Sequence, residues 1–153
     1  MTHDDLAART IVQTRRISAP PRIVFDAWTK PEHLARWWGP DGYTTTILAM
    51  DFREGGLLRF VMHGPDGTDY DNRIAYRRIA APERLEYIHG SDRADDPDAF
   101  DVTVTFEDRD GATQLTMRSV FPSAEMVEAV KSFGAVELGQ QTLAKLDAFV
   151  QAL

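Results

Sequence analysis

Three consecutive alternating runs carry most of the side chains with chemical character: Phe60 and Met62, then Tyr70, Asn72, Ile74 and Tyr76, then Leu85, Tyr87 and His89. Residues two apart in an extended chain share a face, so each run presents its members to one side of a sheet. If those sides form one concave surface, the tyrosine hydroxyls, Asn72 and His89 are polar points in an otherwise apolar hollow, the usual composition of a small-molecule site. His89 is the candidate acid or base by residue type, since imidazole exchanges a proton near neutral pH. The competing reading is a surface histidine at a strand end beside an acidic loop, and no residue is assigned as catalytic. His3, His33 and His63 share no ligand spacing with His89 or with one another, so no metal site is expected. There is no cysteine, which removes disulfides, thiolate nucleophiles and zinc-cysteine sites. No Gly-x-Ser-x-Gly, P-loop or Gly-x-Gly-x-x-Gly motif occurs either, and no cofactor is expected.

Something must cover such a hollow, and the last twenty residues, 134–153, are suited to it. At helical period Val136, Gly139, Leu143, Leu146, Val150 and Leu153 fall on one line, with Ala135, Thr142 and Phe149 beside it. The residues grow along that stripe, from Ala135, Gly139 and Thr142 to Leu146, Phe149 and Val150. A helix of this kind closes a core at one end and leaves space at the other. Glu137, Gln141, Ala144, Lys145, Ala148 and Ala152 form the opposite, solvent-suited face. Glycine inside a helix costs about 1 kcal/mol relative to alanine, so Gly139 implies close approach of a ligand or of a strand backbone.

Earlier in the chain, residues 1–9 read as a mobile tail and Thr10–Ile17 as a first strand. Ser18 is a candidate N-cap for a helix through Val24, Phe25 and Trp28, which Pro31 ends near Thr29–Lys30. A second short helix over Glu32–Trp38 is closed by Gly39–Pro40. The two adjacent indoles of Trp37 and Trp38 predict one ring on the sheet and the other at the cavity mouth. Six strands follow, Tyr43–Phe52, Leu57–His63, Asp69–Ile79, Arg84–His89, Ala99–Glu107 and Thr113–Phe121, joined mostly by hairpin turns. Within the last two, Val102, Val104 and Phe106, then Leu115 and Met117, make the buried face. Arg118 and the charged turn around Asp66, Gly67 and Asp69 are expected to face water. A short helix begins at Pro122–Ser123 and breaks at Phe133–Gly134 before the terminal one.

With 153 residues the chain is expected to form one domain over residues 10–153. A net charge of −7 disfavours nucleic acid, and neither a membrane-spanning run nor a signal peptide is legible, so a cytoplasmic protein without membrane insertion is expected.

Several motifs recur in order: Ser18-Ala-Pro-Pro-x-x-Val-Phe-Asp-Ala-Trp-Thr-x-Pro-Glu-His-Leu-x-x-Trp-Trp-Gly-Pro40, Gly55-Gly56, Gly64-Pro-Asp-Gly67, Pro82-Glu-Arg-Leu85 and Phe133-Gly-Ala-Val-Glu-x-Gly-x-Gln-Thr-Leu-x-x-Leu146. The chain thereby resembles the family named for homology to the activator of heat-shock-protein ATPase. That family lies in the helix-grip superfamily of START domains, aromatic polyketide cyclases and pollen allergens. The resemblance implies an α+β helix-grip fold, with a curved antiparallel sheet wrapped around a long C-terminal helix and two short helices between strands 1 and 2. It departs from relatives at Leu57-Leu58 and Gln140, where many carry tryptophan. The function expected is binding of a small hydrophobic or amphipathic molecule, lipid-like or polyketide-like, of bacterial type. Its candidate ligand-binding residues are Trp37, Trp38, Phe60, Met62, Tyr70, Asn72, Tyr76, Tyr87, His89, Phe106, Met117 and Gly139. A cyclase or dehydratase using the same pocket is the second reading, and a chaperone-interacting module the third. The third is disfavoured by the acidic charge and by the lack of a second module. A homodimer stays open.

Overall fold

The computed structural model describes residues 5–153. The expected tail over 1–9 therefore lies outside the described residues for its first four positions, and residues 5–9 form a hydrogen-bonded turn leading into the first strand. Strand β1 (Thr10–Ile17) is followed by helices α1 (Pro21–Thr29) and α2 (Pro31–Trp37). Then come β2 (Thr44–Met50), β3 (Leu57–His63), β4 (Asp69–Ala80), β5 (Arg84–Ser91), β6 (Phe100–Arg109) and β7 (Ala112–Val120). Helices α3 (Ala124–Ser132) and α4 (Ala135–Gln151) end the chain.

The strands form one antiparallel seven-stranded sheet in the order β1-β7-β6-β5-β4-β3-β2. Five hairpins make the meander from β2 to β7, and β1 joins its far edge beside β7. Successive strands β1 and β2 thus lie at opposite edges, and α1 and α2 carry the chain between them. Register shifts at Ile47/Ala49 in β2 and Tyr76/Arg78 in β4 mark bulges, which increase local twist and help an open sheet curl. Helix α4 packs against β1, α1 and α2, and the sheet closes around it in a helix-grip arrangement.

Period-2 alternation holds on the buried side. Leu58 and Phe60, Ile74 and Tyr76, Leu85 and Tyr87, Val102, Val104 and Phe106, and Leu115 are all buried, and they meet Leu143, Leu146 and Val150 of α4. The outer face carries charge instead: Arg59 reaches Asp92 through two nitrogens at 2.8 and 3.0 Å, and Arg73 binds the same carboxylate at 3.1 Å.

Several local expectations change. Pro20, not Ser18, is the N-cap of α1, with Pro21 in its first turn and no side-chain cap. The Ser18 N–H instead donates to Asp147 of α4 at 2.8 Å. Helix α2 starts at Pro31 and stops at Trp37, leaving Trp38 extended at its C-cap. That break in direction lets both indoles turn inward: Trp37 is fully buried, Trp38 nearly so, and neither stands out at the mouth. With Trp28 they form a packed aromatic group, ring centroids 5.0 to 5.5 Å apart. On α4, Gln141 and Lys145 are not free in solvent. Gln141 accepts from the Asp41 N–H, and the Lys145 ammonium donates to the Gly39 carbonyl at 3.0 Å, tying the helix to the turn after α2. Leu153 lies beyond the end of α4 and is exposed, so it does not extend the stripe. Arg118 is exposed, as expected.

Candidate functional site

Between the sheet and the first turns of α4 lies a cavity of about 630 Å³. Its floor comes from the last inward positions of the strands: Gln13 of β1, Met62 of β3, Tyr70 and Asn72 of β4, His89 of β5, Phe100 of β6, and Met117 and Ser119 of β7. Trp28, Trp37, Trp38, Gly39, Pro40 and Tyr43 wall one side. The roof is Ala135, Leu138, Gly139, Thr142 and Leu143, with Phe133 beside them. Ala135, Gly139 and Thr142 among them are the small residues that begin the α4 stripe. Gly134, at φ +80° in the left-handed region, turns the chain from α3 into α4 and leaves Phe133 almost wholly exposed.

Eight of the twelve candidate residues line this space: Trp37, Trp38, Met62, Tyr70, Asn72, His89, Met117 and Gly139. The other four share its face but are buried further along the strands. Phe60 packs on Trp38, Phe106 on Phe25 and Trp28, and Tyr76 on Phe52 at 4.9 Å. Tyr87 pairs across the sheet with Tyr76, and its hydroxyl is buried with no hydrogen-bond partner. Burial pushes both phenols up, Tyr87 further through its neighbour Tyr76.

Gln13 was not foreseen. It shares the inward side of β1 with Ile11, Arg15 and Ile17, so the signal was a polar residue two positions after a buried isoleucine in a row that ends on another. Its side-chain oxygen accepts from Gln140 at 3.1 Å, and a Cβ built on Gly139 would collide with the end of the same side chain. Of the two expected neighbours, a ligand or a strand backbone, no strand backbone is among the nearest atoms: Gly139 borders the cavity, and a side-chain amide stands closest to it.

His89 is boxed by Trp38, Phe60 and Phe100, with ring centroids 6.1, 5.8 and 5.1 Å away. Its Nε2 lies 2.9 Å from Oδ1 of Asn72, whose Nδ2 donates to the Tyr70 carbonyl at 2.9 Å. A carbonyl only accepts, which fixes the amide orientation, and an amide oxygen only accepts, which places the proton on Nε2. Burial lowers the imidazole from its ordinary value to about 4, so at neutral pH the ring is uncharged and Nδ1 carries a bare lone pair. The reading of His89 as a surface residue is thereby corrected. Nδ1 makes no hydrogen bond among the described residues, nor is it one of the polar atoms sealed off from solvent.

His63 has a different setting. Its Nε2 meets the Thr46 hydroxyl at 2.8 Å and its Nδ1 meets Asp69 at 2.7 Å, so Asp69 is a hydrogen-bond partner as well as a turn residue. The order hydroxyl, imidazole, carboxylate is that of a nucleophile relay, but Thr46 and Asp69 are exposed and neither Thr46 nor His63 lines the cavity under α4. Among the described residues no group of three or more histidine or acidic side chains is placed to hold a metal ion.

A sheet curled around one long helix, with a lined space at the helix's N-terminal end, defines a helix-grip domain. The chain belongs to the Activator of Hsp90 ATPase homolog 1-like protein family, whose model matches residues 18–151. Solved structures agree across nearly the whole chain. A protein from Arthrobacter aurescens is 26% identical with a TM-score of 0.88, the match covering 99% of this chain and 91% of that one. Protein Ms6760 from Mycobacterium smegmatis is 26% identical with a TM-score of 0.83, covering 95% and 93%. Protein CV1439 from Chromobacterium violaceum is 26% identical with a TM-score of 0.81, covering 93% and 96%. No curated protein sequence matches at a significant level. Among the described residues no helix is long and apolar enough to cross a membrane.

Proposed function

We propose that this protein binds a small hydrophobic or amphipathic molecule in the cavity between the sheet and α4, acting in the cytoplasm. The observation that carries this reading is the lining itself: about 630 Å³ bounded by aromatic, aliphatic and a few neutral polar side chains, a size and composition typical of ligand sites. The test uses N-phenyl-1-naphthylamine, a neutral dye that fluoresces on leaving water, titrated into the wild type and into Thr142→Trp, which fills the roof. Saturable binding lost in the variant supports the reading. Wild-type protein that does not bind the dye, and retains no small molecule in native mass spectrometry, overturns it.

A catalytic use of the same pocket has one observation in its favour, the His89–Asn72 pair with an unpartnered Nδ1. The depressed proton affinity of that ring makes it a weak base, which favours binding over proton abstraction. A chaperone role rests on the family description alone, and the purified protein is expected to leave the ATPase rate of its host's heat-shock protein unchanged.

A further inference from the structure

We infer that the ligand of this cavity is an uncharged molecule bearing a hydroxyl group, whose O–H donates to Nδ1 of His89 while its apolar body lies against Trp38, Phe100 and Met117. The inference rests on the binding function proposed above and narrows its ligand class.

Charge is excluded by the lining. None of the twenty residues that bound the cavity is Asp, Glu, Lys or Arg, although these make up 27% of the chain. Lys145 donates to the carbonyls of Gly39 and Pro40, two lining residues, but is not itself part of the lining. A carboxylate or ammonium drawn into this space would shed water without gaining a counter-charge, a strongly unfavourable exchange.

The hydroxyl follows from hydrogen-bond logic. Asn72 is held by the Tyr70 carbonyl, so it accepts from His89 and cannot donate to it; the imidazole therefore turns an acceptor, not a donor, to any partner beyond Asn72. A ligand with only acceptors, such as an ether or ketone, leaves that lone pair unmatched. An O–H satisfies it. The aromatic box around the ring restricts its rotation and so keeps the acceptor in one place.

The experiment compares four probes of one shape at pH 7 by calorimetry: 2-naphthol, 2-methoxynaphthalene, naphthalene and 2-naphthoate, each against wild type and His89→Phe. The expected result is 2-naphthol binding roughly five- to tenfold more tightly than 2-methoxynaphthalene, with 2-naphthoate weakest. In His89→Phe the advantage of naphthol over its methyl ether disappears while naphthalene still binds. Because the variant can lose fold, the ¹⁵N resonance of His89 Nδ1 in the wild type is a second readout, expected to shift with 2-naphthol and not with 2-methoxynaphthalene. Equal affinities, or a preference for 2-naphthoate, overturn the inference and leave the binding function standing. Failure of all four probes to bind to a protein that does bind N-phenyl-1-naphthylamine also overturns the inference alone; failure of the dye and the absence of a retained small molecule remove the binding function with it.

Discussion

Each inward row of the sheet has two ends, and they differ in kind. On β4 the row runs from Tyr76 through Ile74 to Asn72 and Tyr70, on β5 from Leu85 and Tyr87 to His89, and on β7 from Leu115 to Met117 and Ser119. At the first end α1 lies on the sheet, and Phe25, Phe52, Tyr76 and Phe106 interlock edge to face, with Leu146 and Val150 of α4 buried above the core. At the second, the α4 stripe starts with the small residues Ala135, Gly139 and Thr142, flanked by Leu138 and Leu143, and the same sheet face borders a cavity. The difference lies in what covers the strands. Polar groups are placed accordingly: the Tyr87 hydroxyl at the packed end has no partner and no access, whereas Asn72 and His89 at the hollow end are ordered by each other and by the chain.

Acid should act hardest at the hollow end. The unfolded chain takes up a proton at His89 as pH falls below its ordinary value of 6.5, but the folded ring does so only near pH 4. Because the folded value is depressed, the unfolded state binds more protons throughout that window, so stability is full above it, declines as pH falls through it and levels off below. A gap of this size corresponds to about 3 kcal/mol at the lower end. Chemical unfolding of the wild type and of His89→Phe at pH 7 and pH 4.5 isolates this contribution, with the wild type expected to lose about 2 kcal/mol more than the variant. Equal losses would mean that the cavity solvates the charged ring well enough to cancel the cost of burial, and that the hollow end is wet rather than apolar.

At the packed end the effect should be smaller and opposite in sign. Removing a buried hydroxyl that has no partner relieves a desolvation cost, so Tyr87→Phe should raise stability by about 1 kcal/mol. Thermal unfolding reads this directly. A loss of similar size would reveal a hydrogen bond to an ordered water and blur the contrast between the two ends.

This division also explains which parts were legible in the sequence. Alternation and turn chemistry located the seven strands to within a few residues, and the growth of side chains along α4 indicated which end was open. Period 2 also put Tyr76, Tyr87 and His89 on one face. It assigns a side, though, and not a depth: long-range packing, Phe52 on Tyr76 and Trp28 of α1 on Tyr87, buries the two tyrosines and leaves His89 beside space. The tryptophan pair was misjudged for a local reason, since helical arithmetic was carried one residue past the end of α2 to Trp38. Gln13 was passed over because its strand reads as ordinary, and its role depends on Gly139 and Gln140, more than a hundred positions away.

The smallest effect is the most discriminating. Gly139→Ala should gain about 1 kcal/mol of helix propensity, and nothing in the α4 backbone opposes it. Its Cβ must displace the Gln13 amide, which is the far end of a flexible side chain and can move at the cost of its hydrogen bond to Gln140. That bond is worth about 1 kcal/mol, so the two terms nearly cancel and the single variant should stay within about 0.5 kcal/mol of wild type. In a Gln13→Ala background the collision is gone, and the same substitution should stabilise by about 1 kcal/mol. The coupling between the two positions is the quantity to measure, by urea unfolding of all four members of the cycle. If Gly139→Ala alone costs more than about 2 kcal/mol, the start of α4 is packed as tightly as a core and overfilling it carries the usual penalty. The two ends of the sheet would then be alike, and the space between Gly139 and His89 could not admit a ligand without rearrangement.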